Sequence, residues 1–187
     1  RIGEPELGSL RPDVFAQAST RGNQLLVEAA LAQLGARPDQ TVLELFCGAG
    51  NFTLPLAQQG ARLTAIEQAG PALGLLRKAT ERRGLQAHIR TMEGDALKLS
   101  QGLARDGHRF DSLLLDPPRA GCSGLAPVAR QLGVRRIVYV SCDPATLARD
   151  LKDFAGLGWH TAEVTPYDMF PQTPHIECVT RLERREG

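Results

Sequence analysis

A cysteine directly after an apolar run is the residue in this sequence whose surroundings most suggest chemistry. Residues 137–140 (Ile-Val-Tyr-Val) and Ser141 precede Cys142, and Asp143 and Pro144 follow it. A short unbroken apolar run is typical of a strand buried on both faces of a parallel sheet, and Asp-Pro is typical of a helix start. Cys142 is therefore predicted at the carboxyl end of a strand, where open α/β sheets bind ligands. A reactive thiol and a small core residue are both consistent with this position.

A glycine-rich turn and two acids form a second group of candidates. Gly48 and Gly50 lie between a predicted strand and a predicted helix, where glycine lets the backbone approach a ligand. Glu67 ends the next predicted strand, and an acid there can accept hydrogen bonds from both hydroxyls of a ribose. Asp95, just after the third predicted strand, could hold an adenine amino group. Each acid alone would more often be a solvated loop carboxylate, but three strand-end features together favour a nucleoside site.

The glycine-rich turn departs from that of dinucleotide-binding proteins. Where a third glycine would stand, this chain has Phe52 or Thr53, which argues against a nicotinamide enzyme. A ribose anchored on an acid without a phosphate-binding loop resembles the class I S-adenosylmethionine methyltransferases, whose cationic sulfonium needs no such loop. Phe46 and Phe52 are candidates either for the apolar walls of the adenine pocket or for the core.

Residues 116–119 (Asp-Pro-Pro-Arg) form a third candidate element after another predicted buried strand. Two prolines fix two φ angles, so the loop is rigid. Methyltransferases that act on amino nitrogens carry an aromatic residue after such a Pro-Pro pair to stack on the base, and this chain has Arg119 instead. Nitrogen methylation is therefore the second hypothesis, and a different chemistry is favoured.

The elements that must position these residues alternate along the chain. Strands and helices in alternation predict a mostly parallel, doubly wound α/β sheet. Strands are predicted at 41–46, 63–66, 87–91 and 112–115 and before Cys142, with helices at 21–34, 53–59, 72–82, 96–105, 125–132 and 144–154. Two last strand-like segments, 160–165 and 176–182, have no helix between them and predict an antiparallel edge hairpin. Residues 15–187 are interpreted as one domain, and residues 1–14 as a lead-in from a missing upstream region.

Composition excludes several classes of protein. The formal net charge of the 187 residues is +1, so no basic signature points to nucleic acid. No apolar run approaches the roughly 20 residues of a membrane span, and no signal peptide opens the chain. The four cysteines are scattered without CxxC spacing, so a reducing cytoplasm is expected and neither zinc nor a disulfide framework is indicated. Cysteines 47, 122 and 178 are predicted to be packing residues.

The motifs together resemble those of the RNA uracil-5-methyltransferases, which make 5-methyluridine in ribosomal or transfer RNA. Within the family, the sequence looks most similar to the bacterial branch that acts on large-subunit (23S) ribosomal RNA. The matching segments span most of the chain in family order and are residues 15–17, 45–53, 116–121, 141–147 and 170–177. The resemblance implies a Rossmann-like class I methyltransferase fold.

The resemblance also implies a role for individual residues. Cys142 falls on the nucleophile, Glu177 on the general base of a His-x-Glu motif that includes His175, and Arg119 on the residue that holds and polarises the base. The positions that contact S-adenosylmethionine correspond to Gln17, Phe46, Asn51, Glu67, Asp95 and Asp116, with Gly48 in the turn beside them. Without the motif, Glu177 would instead be interpreted as a charged residue on an exposed edge strand.

Two residues depart from the family pattern. The family usually has asparagine two residues after Gln17, where this chain has Ser19, and Ser-Cys-Asn-Pro around the nucleophile, where it has Asp143. Aspartate can still cap a helix, but its charge beside a thiolate would oppose ionisation of Cys142.

The chemistry explains why the family needs these groups. Carbon-5 of uracil is a poor nucleophile, and addition of a thiolate at carbon-6 turns the ring into an enolate with charge on carbon-5. That carbon takes the methyl group, a proton acceptor removes the carbon-5 proton, and elimination expels the thiolate.

A nucleobase inside folded RNA must also leave the stack to reach such a site. The family's RNA grip usually comes from N-terminal domains, which we expect to lie outside the 187 residues of this sequence. The iron–sulfur cluster of some members lies on that missing region, so none is expected here.

Three hypotheses remain open from the sequence. The first is a uracil-5-methyltransferase domain that acts on RNA, with 23S ribosomal RNA favoured and transfer RNA possible. The second is a nitrogen methyltransferase that uses the Asp116–Arg119 loop. The third is a catalytically silent module that binds S-adenosylmethionine or RNA.

Overall fold

The computed structural model describes residues 20–168 and 176–184. Helices and strands alternate there along most of the chain. The helices are α1 (Thr20–Leu34), α2 (Thr53–Gln58), α3 (Gly70–Arg82), α4 (Ala96–Arg105), α5 (Leu125–Gln131) and α6 (Pro144–Ala155). The strands are β1 (Thr41–Leu45), β2 (Arg62–Glu67), β3 (Ile89–Glu93), β4 (Ser112–Leu115), β5 (Arg136–Ser141), β6 (Trp159–Tyr167) and β7 (Glu177–Arg184). Among these described helices, none combines the length and the apolar character that crossing a membrane requires.

The seven strands form one sheet in the order β3-β2-β1-β4-β5-β7-β6. Strands β1 to β5 pair in parallel, and β7 runs antiparallel to both of its neighbours. The predicted α/β class, the parallel doubly wound sheet and the C-terminal antiparallel hairpin are therefore confirmed. Within the hairpin, β7 lies inside the sheet, and β6 forms the edge opposite β3.

The helix and strand boundaries agree with the prediction to within two residues. The third strand is displaced by two residues at both limits, since it was predicted at 87–91 and lies at Ile89–Glu93. Its pairing with β2 begins at Ile89 opposite Leu63, because the chain before it is held in a turn by a hydrogen bond from His88 N to the Leu85 carbonyl.

The core consists of two apolar layers, one on each face of the sheet. Strand residues alternate between them, as the period of two of a β-strand requires. On β5, Ile137 and Tyr139 face the layer that contains Leu147 and Phe154 of α6. The intervening Val138 and Val140 face the layer that is covered by α1, α2 and α3. The Tyr139 side chain is thereby directed toward α6, the helix that follows Cys142.

The carboxyl ends of the parallel strands bring the predicted site residues to one edge of the sheet. Glu67, Asp116 and Cys142 lie at or just after the ends of β2, β4 and β5. Glu177 begins β7, and because β7 is antiparallel its first residue lies at that same edge. A residue far along the chain thus joins the strand-end group.

Candidate active site

The register of β5 and β7 brings the predicted nucleophile and base together. Ser141 pairs with Cys178, so one further step in the antiparallel ladder sets Cys142 opposite Glu177. Arg119, in the loop after β4, hydrogen-bonds the Cys142 side chain and acts on Glu177 as a positive charge. The structure therefore assembles Cys142, Glu177 and Arg119, which lie in three separate segments of the sequence.

The Cys142 thiol is subject to opposing influences. It is partly buried, and burial raises its pKa, as does the charge of Glu177. The hydrogen bond and positive charge of Arg119 act in the opposite direction, and the pKa remains above its ordinary value. Arg119 is therefore the side chain that favours the nucleophilic thiolate in this site.

Asp143 caps α6 as predicted. Its Oδ1 accepts hydrogen bonds from Ala145 N at 3.0 Å and Thr146 N at 2.9 Å. The bond from Thr146 N is the main reason that the pKa of Asp143 lies below its usual value. The sequence pointed to Asp143 as the acid that opposes ionisation of Cys142. In the structure the acid that raises the pKa of the Cys142 thiol is Glu177, and the Asp143 carboxylate is instead turned toward the N-terminus of α6.

Glu177 is buried, with 6% of its surface exposed. Its interpretation as an exposed edge-strand residue is wrong, because β7 lies between β5 and β6 and is not at the edge of the sheet. Burial raises the pKa of the Glu177 carboxyl, and the positive charge of Arg119 opposes that shift. A carboxylate with a raised pKa is a stronger proton acceptor than one in water, as a general base working near neutral pH requires.

Asp116 links the Cys142 group to the acids farther along the sheet edge. Burial raises the pKa of Asp116 to about 7, and the negative charges of Glu177 and Glu67 add to that shift. Asp116 follows β4, which lies in the sheet between β2, which ends at Glu67, and β7, which begins at Glu177.

A cavity of about 250 Å³ lies on the Glu67 side of Asp116. Two of the three predicted cofactor acids, Glu67 and Asp95, line it together with Phe46 and apolar residues such as Leu97 and Leu125, whereas Asp116 is not among the lining residues that the structure describes. Carboxylates beside apolar walls match the needs of a ribose and an adenine.

Backbone groups fix the orientation of the two acids in this cavity. Glu67 accepts hydrogen bonds from Gly48 N at 2.9 Å and Ala69 N at 2.7 Å. Asp95 caps α4 by accepting from Lys98 N at 2.8 Å. The Glu67 bond to Gly48 also ties the glycine-rich turn to the end of β2, so the turn and the acid form one unit.

The two phenylalanines and the two glycines around the turn have different roles in the structure. Phe46 lines the cavity, whereas Phe52 is 1% exposed and belongs to the core. A side chain at Gly48 would extend into open space, but one at Gly50 would collide with the Leu76 side chain. Gly48 is therefore a position at which a ligand can approach the backbone, whereas Gly50 is favoured chiefly by its φ of +95°, which strains any other residue.

Asn51, another predicted cofactor residue, is not among the described residues that line the cavity. Asn51 exchanges two amide hydrogen bonds with Asn23 of α1, at 2.8 and 3.0 Å. Asn23 was not anticipated from the sequence, and it sets the orientation of the Asn51 amide. Gln17, and likewise Ser19 and His175, lie outside the described residues.

Glu44 is an ionisable residue near the site that the sequence analysis missed. It lies within β1 between Leu43 and Leu45, and none of its surface is exposed. Burial raises the pKa of Glu44 to about 8, the charge of Asp116 raises it further, and Thr53 opposes the shift. The signal that could have identified it is an acid at an inner position of an otherwise apolar strand.

We expect Glu44 to make the free energy of unfolding fall as the pH rises from about 4.5 to about 8. The unfolded chain loses the Glu44 proton at the lower pH and the folded chain retains it to the higher one, so the unfolded state is favoured progressively across that window. Glu44→Gln should remove a slope of up to about 1.4 kcal/mol per pH unit, measured by urea unfolding between pH 5 and pH 8. The exposed Glu81→Gln variant serves as the control, and an unchanged slope in Glu44→Gln would contradict the expectation.

Comparisons with known proteins agree with this geometry. The family model described as tRNA (uracil-5-)-methyltransferase matches residues 9–185. The 23S rRNA (uracil(1939)-C(5))-methyltransferase RlmD of Klebsiella pneumoniae is 41% identical over 177 residues, which are 93% of this chain and 40% of that protein. The protein of the same name from Pseudomonas putida is 42% identical over 92% of this chain and 38% of its own length. The chain thus spans about two-fifths of the length of these relatives.

Solved structures share the same architecture. The Pyrococcus abyssi tRNA (uracil-54, C5)-methyltransferase, in complex with S-adenosyl-L-homocysteine, superposes with a TM-score of 0.77 and 27% identity. The match covers 92% of this chain and 41% of that one. A precorrin-6y C5,15-methyltransferase from Geobacter metallireducens, at 15% identity and a TM-score of 0.69 over 91% of this chain and 93% of its own, shares the fold.

Proposed function

Because this chain belongs to the tRNA (uracil-5-)-methyltransferase family, we propose that it methylates carbon-5 of a uridine in RNA, with S-adenosylmethionine as the methyl donor. The observation that carries the proposal is the convergence of Cys142, Arg119 and Glu177. The adjoining cavity, lined by Glu67 and Asp95, supports a nucleoside cofactor next to that group. Residues 15–187 then form the catalytic domain, and because the chain spans about two-fifths of its relatives' length, we assign part of the RNA grip in such proteins to the remaining three-fifths.

The residues around the cavity suit S-adenosylmethionine. Glu67 would accept hydrogen bonds from the ribose hydroxyls, Asp95 from the adenine amino group, and Phe46 would form an apolar wall. Gly48 leaves the backbone open to the ligand. Gln17, Asn51 and Asp116 are assigned to the cofactor from their family positions. When bound, S-adenosylmethionine supplies an electrophilic methyl group.

The catalytic group performs the remaining steps on the uracil ring. The Cys142 thiolate forms a bond to carbon-6, and the electron pair of the ring double bond moves to carbon-5 and the carbonyl oxygen as an enolate. Arg119, a cation beside the thiol, stabilises the negative charge of both the thiolate and the enolate. After carbon-5 has gained the methyl group, Glu177 removes the carbon-5 proton, the double bond re-forms, and the bond from carbon-6 to the Cys142 sulfur breaks.

The choice of RNA follows from the relatives. The 23S rRNA enzymes are 41 and 42% identical to this chain, whereas the Pyrococcus transfer RNA enzyme is 27% identical. We therefore propose a uridine of 23S ribosomal RNA as the target in preference to one of transfer RNA.

The test is to incubate the intact protein and tritiated S-adenosylmethionine with unmodified 23S ribosomal RNA and, in parallel, with transfer RNA transcripts. Digestion to nucleosides and mass spectrometry should identify 5-methyluridine, and more of it from the ribosomal RNA. An N-methylated nucleoside would favour the nitrogen methyltransferase. Binding of S-adenosylhomocysteine without any methylated product on either RNA would favour the silent module.

Glu67→Gln is expected to weaken S-adenosylhomocysteine binding about 10- to 100-fold, measured by isothermal titration calorimetry. Hydrogen bonds to a charged acceptor contribute about 1.5–3 kcal/mol, and the amide cannot accept from two ribose hydroxyls while it retains its bonds to the Gly48 and Ala69 amides. Glu93→Gln is the control, because Glu93 is the residue of the neighbouring strand β3 that pairs with Glu67. Equal affinity in the Glu67 and Glu93 variants would remove Glu67 from the cofactor site.

A further inference from the structure

A buried carboxylate on α6 accepts hydrogen bonds from two other segments of the chain. Asp150 is 1% exposed. Its Oδ2 accepts from Cys122 N at 2.7 Å and from the Tyr139 hydroxyl at 2.8 Å. Its Oδ1 accepts from Nε of Arg149 at 2.9 Å and from Nη2 at 2.7 Å. Both oxygens are therefore occupied, by backbone, hydroxyl and guanidinium donors.

The segments that meet at Asp150 are those that flank the Cys142 site. Tyr139 lies on β5, three residues before the thiol, and α6 begins at Pro144, two residues after it. Cys122 lies in the loop that carries Arg119, and it also lines the cofactor cavity. A second link joins this loop to α6, because Arg149 Nη2 donates to the Ala120 carbonyl at 2.8 Å.

The loop is packed against the carboxylate without free space. Gly121 has φ of +76°, and a side chain there would collide with Asp150 Oδ2 and with Arg149 Nη2. Burial alone would raise the pKa of Asp150, but the hydrogen bonds from Cys122 N, Arg149 and Tyr139 outweigh it and hold the pKa below its usual range. The group is thus an ionised anchor, and charge-assisted hydrogen bonds are stronger than neutral ones.

We propose that Asp150 is a positioning residue that holds the Arg119 loop against α6, so that the Arg119 guanidinium reaches the Cys142 thiol. The inference deepens the proposed function, on which it rests for the role of that thiol. Asp150 acts through Arg119: its carboxylate fixes Cys122 and its ion-pair partner Arg149 fixes Ala120, which together immobilise the loop directly after Arg119. Tyr139 ties the same carboxylate to the strand that delivers Cys142.

The test is the rate at which iodoacetamide alkylates Cys142 in the intact, folded protein between pH 6 and pH 10. The reaction is quenched and the protein is digested, and mass spectrometry then measures the alkylated fraction of the peptide that contains Cys142. Arg119 lowers the pKa of the thiol, so a displaced Arg119 should leave less thiolate. Asp150→Asn is expected to slow alkylation at pH 7 about 3- to 10-fold, which corresponds to a shift of about half to one pH unit in the profile. Asp153→Asn, on an exposed position of the same helix, should leave the profile unchanged.

A double-variant cycle distinguishes positioning through Arg119 from a general loss of structure. In an Arg119→Ala background, Asp150→Asn should add little further slowing. A full additional effect in that background, or wild-type alkylation by folded Asp150→Asn, would overturn the proposal. If Asp150→Asn fails to fold, Tyr139→Phe decides, because it removes one of the four bonds and should give a smaller shift in the same direction; no shift would contradict the proposal. The alkylation profile needs no RNA, so failure of the proposed function would appear separately, as absence of 5-methyluridine.

Discussion

Replacing Cys142 with alanine is expected to abolish both methylation of RNA and formation of a covalent complex with RNA that contains 5-fluorouracil. Without a thiol opposite Glu177 and beside Arg119, carbon-5 is never activated, and loss of a nucleophile lowers turnover by more than about 10⁴-fold. In 5-fluorouracil, fluorine takes the place of the carbon-5 proton, and a base cannot remove it. The wild-type adduct therefore persists and is seen as a slower band on a denaturing gel.

Cys178→Ala is the matched control for this variant. Cys178 is the residue after Glu177, and it is buried with 8% exposure; burial raises the pKa of its thiol. A protonated, buried thiol is a poor nucleophile, so the adduct should form at nearly the wild-type rate. An adduct that survives in Cys142→Ala would assign the covalent bond to another residue. Methylation that survives there would favour the nitrogen chemistry of the Asp116–Arg119 loop.

Glu177→Gln is expected to lower turnover by about 10²- to 10⁴-fold, the usual contribution of a general base, and to trap the covalent complex with ordinary, unfluorinated RNA. Addition of the thiolate and transfer of the methyl group do not require Glu177, but elimination does, because the carbon-5 proton must leave first. The variant incubated with S-adenosylmethionine and 23S ribosomal RNA should therefore give a methylated adduct on a denaturing gel. Thiol alkylation should also become faster, since the charge of Glu177 raises the pKa of Cys142.

Glu183→Gln provides the comparison for the loss of an acid from the same strand. Glu183 lies near the far end of β7, where it forms partly exposed ion pairs with Arg136 and Arg181. Such pairs contribute about 0–1 kcal/mol, so turnover should change little. If Glu177→Gln lost turnover without any accumulated adduct, Glu177 would be needed before thiolate addition and not as the base that ends the reaction.

The sequence allowed the prediction of the strand-end residues because each one follows a strongly patterned segment. The apolar run before Cys142 and the Asp116–Arg119 loop after Leu115 are local signals, and parallel strands bring their carboxyl ends to one edge. The order of strands is not a local signal. Residues 160–182 predict a hairpin, but nothing in them indicates that β7 enters the sheet next to β5 while β6 remains outside. That order places Glu177 inside the sheet and not at its edge.

Other features of the site depend on contacts between residues far apart in sequence. Phe46 and Phe52 are indistinguishable by type, and the turn conformation decides that the first lines the cavity and the second enters the core. The Asn23–Asn51 pair joins residues 28 positions apart. Asp150 resembles any helix acid until Tyr139 and Cys122 are seen to converge on it. Periodicity predicts which faces are buried, but it does not predict which polar partners meet inside.

The position of β7 has a consequence for association between copies of the chain. Strand β5 is apolar and buried, and without β7 its backbone amides and carbonyls would form an unpaired edge of the kind that promotes aggregation. Strand β6 is a safer edge, because it is mostly exposed, is interrupted by a register shift between Thr161 and Glu163, and contains Pro166. The strand that carries Glu177 thus also shields the sheet from uncontrolled strand pairing.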